Sequence, residues 1–286
     1  MTFRVTRFAP SPTGYLHIGH FMSADFAFHH GDKFILRIED IDTTRCKTEF
    51  ESSIYEDLKW MGLEWEKPVL RQSEHFADYH KTLHQLQEMG VIYPCFCTRK
   101  EIEAEINHSP NAPHLGDTVV YPQTCLKLSA AEIQDKQSAG LHYALRLNVK
   151  KAMSLTGQLT WFDREQGYQE ARPDLLGDVV LARKDTPVSY HLCVTHDDAR
   201  QGVNLVTRGE DLFTATHIHR LLQALMGWDT PDYHHHRLIT DISGKKFSKR
   251  DKSLTLREIR NKGFSASQLR DMIEGNAINL SLFLSG

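Results

Sequence analysis

The first forty residues limit this chain to one kind of architecture. "FRVTRFA" reads as a strand, "PSPTG" breaks the chain, "GHFMSADFAFHHG" reads as a helix closed by Gly31, and "KFILRIED" returns as a second strand. Strand, helix and strand in that order form a β-α-β unit, which requires a parallel sheet and a right-handed crossover. The expected fold class is α/β. The same unit leaves backbone N–H groups and the positive end of a helix dipole at the carboxyl edge of a strand, a setting that suits phosphate. His17 and His20 stand at the helix entry, where imidazole N–H groups can donate to phosphate oxygens. The alternative use of such a pair is structural, as a helix cap or a surface residue.

The alternation continues downstream. "TTRCKTEFESSIYEDLKWMGL" carries Phe50, Ile54 and Leu58 at four-residue spacing after a threonine cap, and "SEHFADYHKTLHQLQEMG" repeats the device with Phe76, Tyr79, Leu83 and Leu86. Both are expected to be amphipathic helices. From Val91 to about Lys127 the periodicity fails and Asn, Pro, His and Gly collect, as in an irregular insertion. "LHYALRLNV", "DVVLAR" and "VNLVTRG" read as strands, "DLFTATHIHRLLQALMG" as a helix, and the tail from Ser253 as two short helices. In "HHH" at 234 to 236 successive side chains of a strand point to opposite faces, which argues against a three-histidine metal site.

Composition narrows the setting. A chain of 286 residues suffices for one large domain or one domain with an insertion. It is 40% hydrophobic and 25% charged, and lacks an apolar run long enough to span a bilayer, so a soluble protein without a membrane partner is expected. The start "MTFRVTRFAPS" has no basic region followed by an apolar one, so the expected location is cytoplasmic. A net charge of -3 gives no global attraction to nucleic acid, and an RNA partner would need a local basic surface. Five cysteines in a reducing compartment favour metal ligands or core thiols over disulfides.

A second basic element ties these observations together. In "SGKKFSKRDKS", at 243 to 253, Lys246 and Lys249 flank Phe247 and Ser248. Alone, such a run is a solvated loop or an RNA-facing patch. Together, "HIGH" at 17 to 20 and "KFSKR" at 246 to 250 resemble the HIGH and KMSKS signatures of class I aminoacyl-tRNA synthetases. "RFAPSPTG", "LRIEDID" at 36 to 42 and "YHLCVTHDDARQGVNLVTRGEDL" at 190 to 212 are similar to the glutamyl group within that class, over residues 5 to about 252. The resemblance implies a Rossmann-like parallel-sheet catalytic domain over 1–252, with an insertion at about 91–127 and a short helical tail over 253–286. It implies that His17, His20, Lys246 and Lys249 bind ATP, presented with Mg2+, and that His17, His20 and Lys249 stabilise the departing pyrophosphate. Arg7, Phe8, Ala9, Pro10 and Ser11 would line the amino-acid site, Glu39 would take the ammonium, Tyr190 would shape the pocket and Arg208 would grip the γ-carboxylate. The alternative for Glu39 and Arg208 is an ordinary ion pair within the protein.

The insertion offers soft ligands. Cys95 and Cys97 form a C-x-C pair at the end of a strand signal, and Cys125 follows in "YPQTC", a set that suits one structural zinc. His108 and His114 are chemical candidates for the fourth ligand, whereas the resemblance implies Tyr121, in a Y-x3-C arrangement with Cys125. Three buried thiols without metal are the alternative. Cys46, placed on the helix after "RIEDIDTTR", and Cys193 have apolar neighbours and are expected in the core.

Two departures accompany the resemblance. The stretch between His20 and Arg37 is shorter than the family usually has, by about two helical turns, and Val194, Thr195 and His196 replace a more uniformly apolar run. The residues after Arg250 are too few for an anticodon-reading domain, so the similarity points to the short paralogous group, the glutamyl-Q tRNA(Asp) synthetases. Membership would imply a monomeric ligase using L-glutamate, ATP and tRNA(Asp) carrying queuosine. The RNA would be guided by Lys245, Lys246, Arg250, Lys252, Arg257, Arg260 and Lys262. A truncated glutamyl-tRNA synthetase acting on another acceptor, a small-molecule nucleotidyltransferase and a catalytically silent RNA-binding paralogue are the rival expectations.

Overall fold

The computed structural model describes residues 3–102, 114–115, 118–183, 187–239 and 254–274. Lys245, Lys246, Lys249, Arg250, Lys252 and His108 lie outside the described residues, as does the side chain of His114. The opening unit forms as the sequence implies: β1 (Val5–Phe8), α1 (Ile18–His30) and β2 (Lys33–Ile38), with β1 and β2 parallel. α2 (Thr48–Trp60) then leads to β3 (Glu66–Arg71), parallel to β2, and α3 (Phe76–Glu88) leads to β4 (Ile92–Cys95). The middle of the chain supplies α4 (Ala130–Ser138), β5 (Ala144–Leu147), α5 (Val149–Thr156), the hairpin of β6 (Thr160–Asp163) and β7 (Gly167–Glu170), and β8 (Val180–Ala182). The second half of the parallel system follows as α6 (Tyr190–Arg200), β9 (Leu205–Gly209), α7 (Ala215–Met226) and β10 (Asp232–His236). α8 (Leu256–Asn261) and α9 (Ala266–Glu274) complete the described chain.

The topology explains where a ligand can sit. β1, β2 and β3 run to one side, while β9, β10 and β6 run to the other. The two halves meet because β1 lies beside β9: the Asn204 amide donates to the Val5 carbonyl at 3.2 Å, and the Val5 amide to Asn204 Oδ1 at 2.8 Å. The strand order therefore reverses between β1 and β9. In open parallel sheets the crevice beyond the carboxyl ends of the strands at such a reversal is where ligands bind. β4, β5 and β8 form a separate antiparallel sheet that carries the cysteine insertion.

Two large apolar cores hold this frame. One joins Phe8, Ile18, Phe21, Leu36, Ile38, Ile54 and Leu58 to Leu256, Ile259 and Leu269, so the two tail helices pack against the opening β-α-β unit. The other joins α3, β5, α6 and α7 through Tyr79, Leu83, Leu147, Leu192, Ile218 and Leu222. At about 25 cal/mol per Å² of buried apolar surface, these cores dominate the stability of the frame.

Two local expectations change. α2 begins after Lys47, which makes no capping bond with its side chain, while Thr44 bonds to Asp42 in the turn before it. An aspartate that accepts local amide and hydroxyl donors holds a turn and delays the helix. Cys46 lies in that turn, half-buried and off the helix, whereas Cys193 is fully buried in α6. Arg257 stays exposed and Arg260 half-buried, and both take local partners. Arg257 donates to Tyr15 Oη at 2.6 Å, and Arg260 pairs with Glu56 at 3.1 Å and Asp57 at 3.5 Å, which ties α8 to α2.

Candidate active site

A cleft of about 440 Å³ opens at the reversal point. Arg7, Phe8, Ala9, Pro10 and Ser11 reach it from the end of β1 and the turn beyond it. His17 and His20 come from the start of α1, Glu39 from the end of β2, Tyr190 from α6 and Arg208 from β9. Every described residue assigned above to the amino-acid site or to the first nucleotide motif thus faces one space. The Glu39 amide donates to the Pro10 carbonyl at 3.0 Å, so the end of β2 and the proline turn are fixed to each other.

The helix entry is built around its histidines. His17 is the N-cap of α1: its Nδ1 accepts from the Gly19 amide at 3.1 Å, and His20 Nδ1 accepts from the His17 amide at 3.2 Å. Both capping bonds use the lone pair of Nδ1, which in neutral imidazole places the ring proton on Nε2. The capping and the donor uses of this pair are therefore compatible. At position 19 a Cβ would lie 3.0 Å from Cε1 of the His17 ring, so any larger residue would press on the capping histidine. Behind the pair, His17 bridges to Thr255, and the Leu256 amide donates to the Leu16 carbonyl at 2.8 Å, so the start of the described tail is joined to the helix entry.

The cations in the cleft are held in contrasting ways. Arg7, only 5% exposed, donates through Nε to Asp198 at 3.0 Å and through Nη1 to the Thr207 carbonyl at 3.0 Å. Asp198 also accepts from Arg37 at 2.8 Å, and Arg37 lies 3.4 Å from Glu39. Burial raises the Asp198 carboxyl, but Arg7 and Arg37 more than offset it and keep it below the ordinary carboxylate range. Burial pushes Glu39 up to about 7 despite those arginines, helped by the neighbouring Asp198 and Asp197. Glu39 therefore sits close to an internal ion pair, as one alternative held. Arg208 does not: it is 5% exposed, and among the described residues no carboxylate lies within ion-pair distance. Its partners are His235 Nε2 at 3.0 Å, His219 Nδ1 at 3.1 Å and Thr216 Oγ1 at 2.5 Å, all neutral acceptors. A buried cation without a counter-ion is costly, and a ligand carboxylate would complete it.

The sequence reading did not single out Asp198, Arg37, Thr216, His219 or Asp163 for the site. Arg37 had a usable signal, because an arginine within the otherwise apolar "KFILRI" strand needs a buried partner. Val194 does line the cleft.

The cysteines also converge. The sulfurs of Cys95, Cys97 and Cys125 all lie within 4.8 Å of one another, with Cys97 and Cys125 at 3.4 Å. Tetrahedral Zn–S bonds of about 2.3 Å require sulfurs roughly 3.8 Å apart, so the trio fits a cation of that size. Tyr121 Oη is 3.4 Å from Cys97 Sγ and accepts from the Cys125 amide at 2.9 Å, and the Arg146 guanidinium stacks 3.8 Å from the Tyr121 ring. A second cavity, of about 450 Å³, lies between this cluster and the cleft, lined by Tyr121, Arg146, Asp178, Arg183, Tyr190 and His191. Tyr190 belongs to both spaces. No helix among the described residues is long and apolar enough to cross a membrane.

Known proteins match this arrangement. Residues 4–275 fit the family described as tRNA synthetases class I (E and Q), catalytic domain. The glutamyl-Q tRNA(Asp) synthetase of Rhodobacter capsulatus is 44% identical over 94% of this chain and 99% of its own length. That of Nitratidesulfovibrio vulgaris is 37% identical over 92% and 83%. Among solved structures, a glutamate tRNA ligase from Elizabethkingia meningosepticum in complex with its amino acid superposes with a TM-score of 0.71 at 31% identity. The match covers 92% of this chain but 54% of that ligase, so the chain spans about half the ligase's length. Cleft, sheet order and near full-length similarity agree: the chain belongs to the glutamyl-Q tRNA(Asp) synthetases, within the class I glutamyl and glutaminyl synthetase family.

Proposed function

We propose that this protein activates L-glutamate with ATP and transfers the glutamyl group to queuosine at the wobble position of tRNA(Asp). The observation that carries this reading is the single cleft in which an uncompensated buried cation, Arg208, faces a carboxylate, Glu39, beside the histidine-capped start of α1. A zwitterion with a second carboxylate has the complementary charges. Glu39 takes the ammonium, Arg208 the γ-carboxylate, and Arg7 and Ser11 the remaining polar atoms, while Phe8, Ala9, Pro10 and Tyr190 form the walls.

Bound in this way, the α-carboxylate oxygen attacks the α-phosphorus of ATP, the bond to the bridging oxygen breaks, and pyrophosphate departs with the electron pair. His17 and His20 offer Nε2–H groups, and Lys246 and Lys249 offer ammonium groups, to the phosphate oxygens on which charge develops. A hydroxyl of the queuosine ring then attacks the activated acyl carbon. The carbon–oxygen bond to AMP breaks as the hydroxyl proton is lost. The cavity across Tyr190 supports this second step, because it adjoins the cleft and offers aromatic rings with polar groups, which suit an unstacked base. Cys95, Cys97, Cys125 and Tyr121 would hold zinc, which supplies a structural cross-link for that wall and no chemistry at the reacting atoms. All these groups come from one chain, so a monomer suffices.

The test is ATP–pyrophosphate exchange without tRNA, followed by glutamate transfer to queuosine-containing tRNA(Asp) whose terminal adenosine has been removed enzymatically. Exchange driven by glutamine or aspartate in place of glutamate sinks the first half. Transfer only to an intact 3′ end, or equally to tRNA lacking queuosine, sinks the second. Lys249→Ala is expected to lower exchange roughly ten- to a thousandfold with little change in glutamate KM, as for a donor acting in the transition state.

A further inference from the structure

Arg208 is surrounded by groups whose hydrogen bonds run in one direction only. Asp163 Oδ1 accepts the amides of Glu165 at 2.9 Å and Gln166 at 3.0 Å, and Oδ2 accepts His235 Nδ1–H at 2.6 Å. That fixes the His235 tautomer and leaves Nε2 as the acceptor facing Arg208 Nε. On the other side, His219 Nδ1 accepts from Arg208 Nη1, so His219 Nε2 carries the proton and donates to His191 Nδ1 at 3.1 Å. Thr216 Oγ1 accepts a hydrogen bond from Arg208 Nη2. The backbone places the parts: Arg208 and His235 are register partners on β9 and β10, and Tyr233, two residues before His235, pairs with Asp163 on β6.

A guanidinium has five N–H donors, and His235, His219 and Thr216 take one each. One N–H on each terminal nitrogen remains, a parallel pair that suits a carboxylate and repels the NH2 of a carboxamide. We propose that Asp163–His235 and His191–His219 are positioning pairs that hold Arg208 so that its remaining N–H pair selects a substrate carboxylate over a carboxamide. This rests on the reading of Arg208 as the γ-carboxylate grip. Histidines in this collar keep the guanidinium uncompensated, where carboxylates in direct contact would neutralise it. Burial and the Arg208 charge hold both His235 and His191 at about 4, so the acceptor tautomers persist at neutral pH.

The decisive variant is Asp163→Asn. An amide NH2 facing Nδ1 reverses the His235 tautomer and turns an N–H toward Arg208, at nearly unchanged volume. We expect glutamate KM in exchange to rise roughly ten- to a hundredfold, as when outer partners of a site are removed, with ATP KM and melting temperature little changed and the glutamate-to-glutamine kcat/KM ratio reduced. His235→Gln, whose amide can accept from Arg208 and donate to Asp163, retains most of that ratio, and His235→Phe loses it. These two keep the proposal testable if Asp163→Asn does not fold. Arg208→Ala separates the two levels. If it leaves glutamate KM unchanged, the reading of Arg208 falls, and this inference with it. If it raises glutamate KM while Asp163→Asn or His235→Phe leaves both KM and selectivity intact, the positioning role is overturned.

Discussion

The two sides of Tyr190 are held together by opposite means. On the cleft side, Arg7, Arg37, Asp197 and Asp198 interlock, and Tyr79 and Gln72 donate to Asp197 at 3.0 Å and 2.8 Å. These side chains come from β1, β2, the short turn before α3, α3 and α6, and Tyr79 belongs to the second large core. On the cysteine side, the buried cluster among the described residues is Tyr93, Cys95, Tyr121 and Cys125, with partly buried Phe96, Ile102, Leu126 and Leu128 against it. The first region is preorganised by the fold itself, so a ligand in the cleft would meet fixed dipoles and charges. The second has three sulfurs converging, and a cation held by them would lend it order.

The strongest way to test that contrast is to break the polar network. Asp198→Ala leaves Arg7 and Arg37 buried beside each other without their shared carboxylate, a change that costs on the order of 3–5 kcal/mol. Global melting temperature should fall and glutamate-dependent exchange should be lost together. If exchange is lost while the melting temperature holds, the network serves the ligand only and does not brace the frame.

Zinc removal should show the reverse pattern. Chelation, or Cys97→Ser with Cys125→Ser, is expected to leave tRNA-independent exchange within about threefold while lowering transfer to tRNA by about tenfold or more, since outer supports of a site carry effects of that order. Metal analysis of the pure protein should give one zinc per chain. Exchange and transfer falling in parallel would make the two regions one unit.

The contrast also explains what the sequence disclosed. β1, α1 and β2 were legible because apolar runs, a proline turn and Gly31 act over a few residues, and the cleft residues follow because strand ends at a topological reversal converge. The Arg7–Asp198 and Arg208–His235 bonds join residues far apart in the chain, and no local pattern marks them. "HHH" held half of the answer: alternation along β10 separates His235, which meets Asp163 and Arg208, from His234, which meets Glu165, and His236, which meets Ser23. The misplaced threonine cap and Cys46 share one cause, since Asp42 claims the local donors before α2 starts.

A smaller effect comes from Glu39. Burial raises its carboxyl to about 7 against the lowering influence of Arg37 and Arg7, while Asp198 and Asp197 push in the same direction as burial. Binding an ammonium requires the carboxylate. Glutamate affinity should therefore improve as pH rises from about 6 to about 7, by roughly three- to tenfold, and level off above, with proton release on binding below about 7. His191 and His235, held at about 4, remain neutral across this range. The sign for stability is opposite: the folded state binds the extra proton, so the ligand-free protein loses stability as pH rises from the ordinary glutamate value of 4.5 toward about 7. Calorimetric titration in buffers of different ionisation enthalpy checks both the affinity trend and the released proton. A flat affinity from pH 6 to 8 would place the ammonium elsewhere.

The finest distinction lies within the cysteine cluster. Tyr121 has two separable roles: its ring stacks under Arg146, and its hydroxyl sits beside Cys97 while accepting the Cys125 amide. Tyr121→Phe keeps the ring and its stacking and removes only the oxygen. If that oxygen is the fourth ligand, zinc affinity should fall by about tenfold, a modest change beside loss of a thiolate because water can take the vacated position. Competition with a colorimetric chelator measures it, and Tyr121→Ala serves as the comparison that also removes the stacking. Equal zinc affinity in wild type and Tyr121→Phe, with a loss only in Tyr121→Ala, would assign Tyr121 to packing and leave the cation with three sulfurs from this segment.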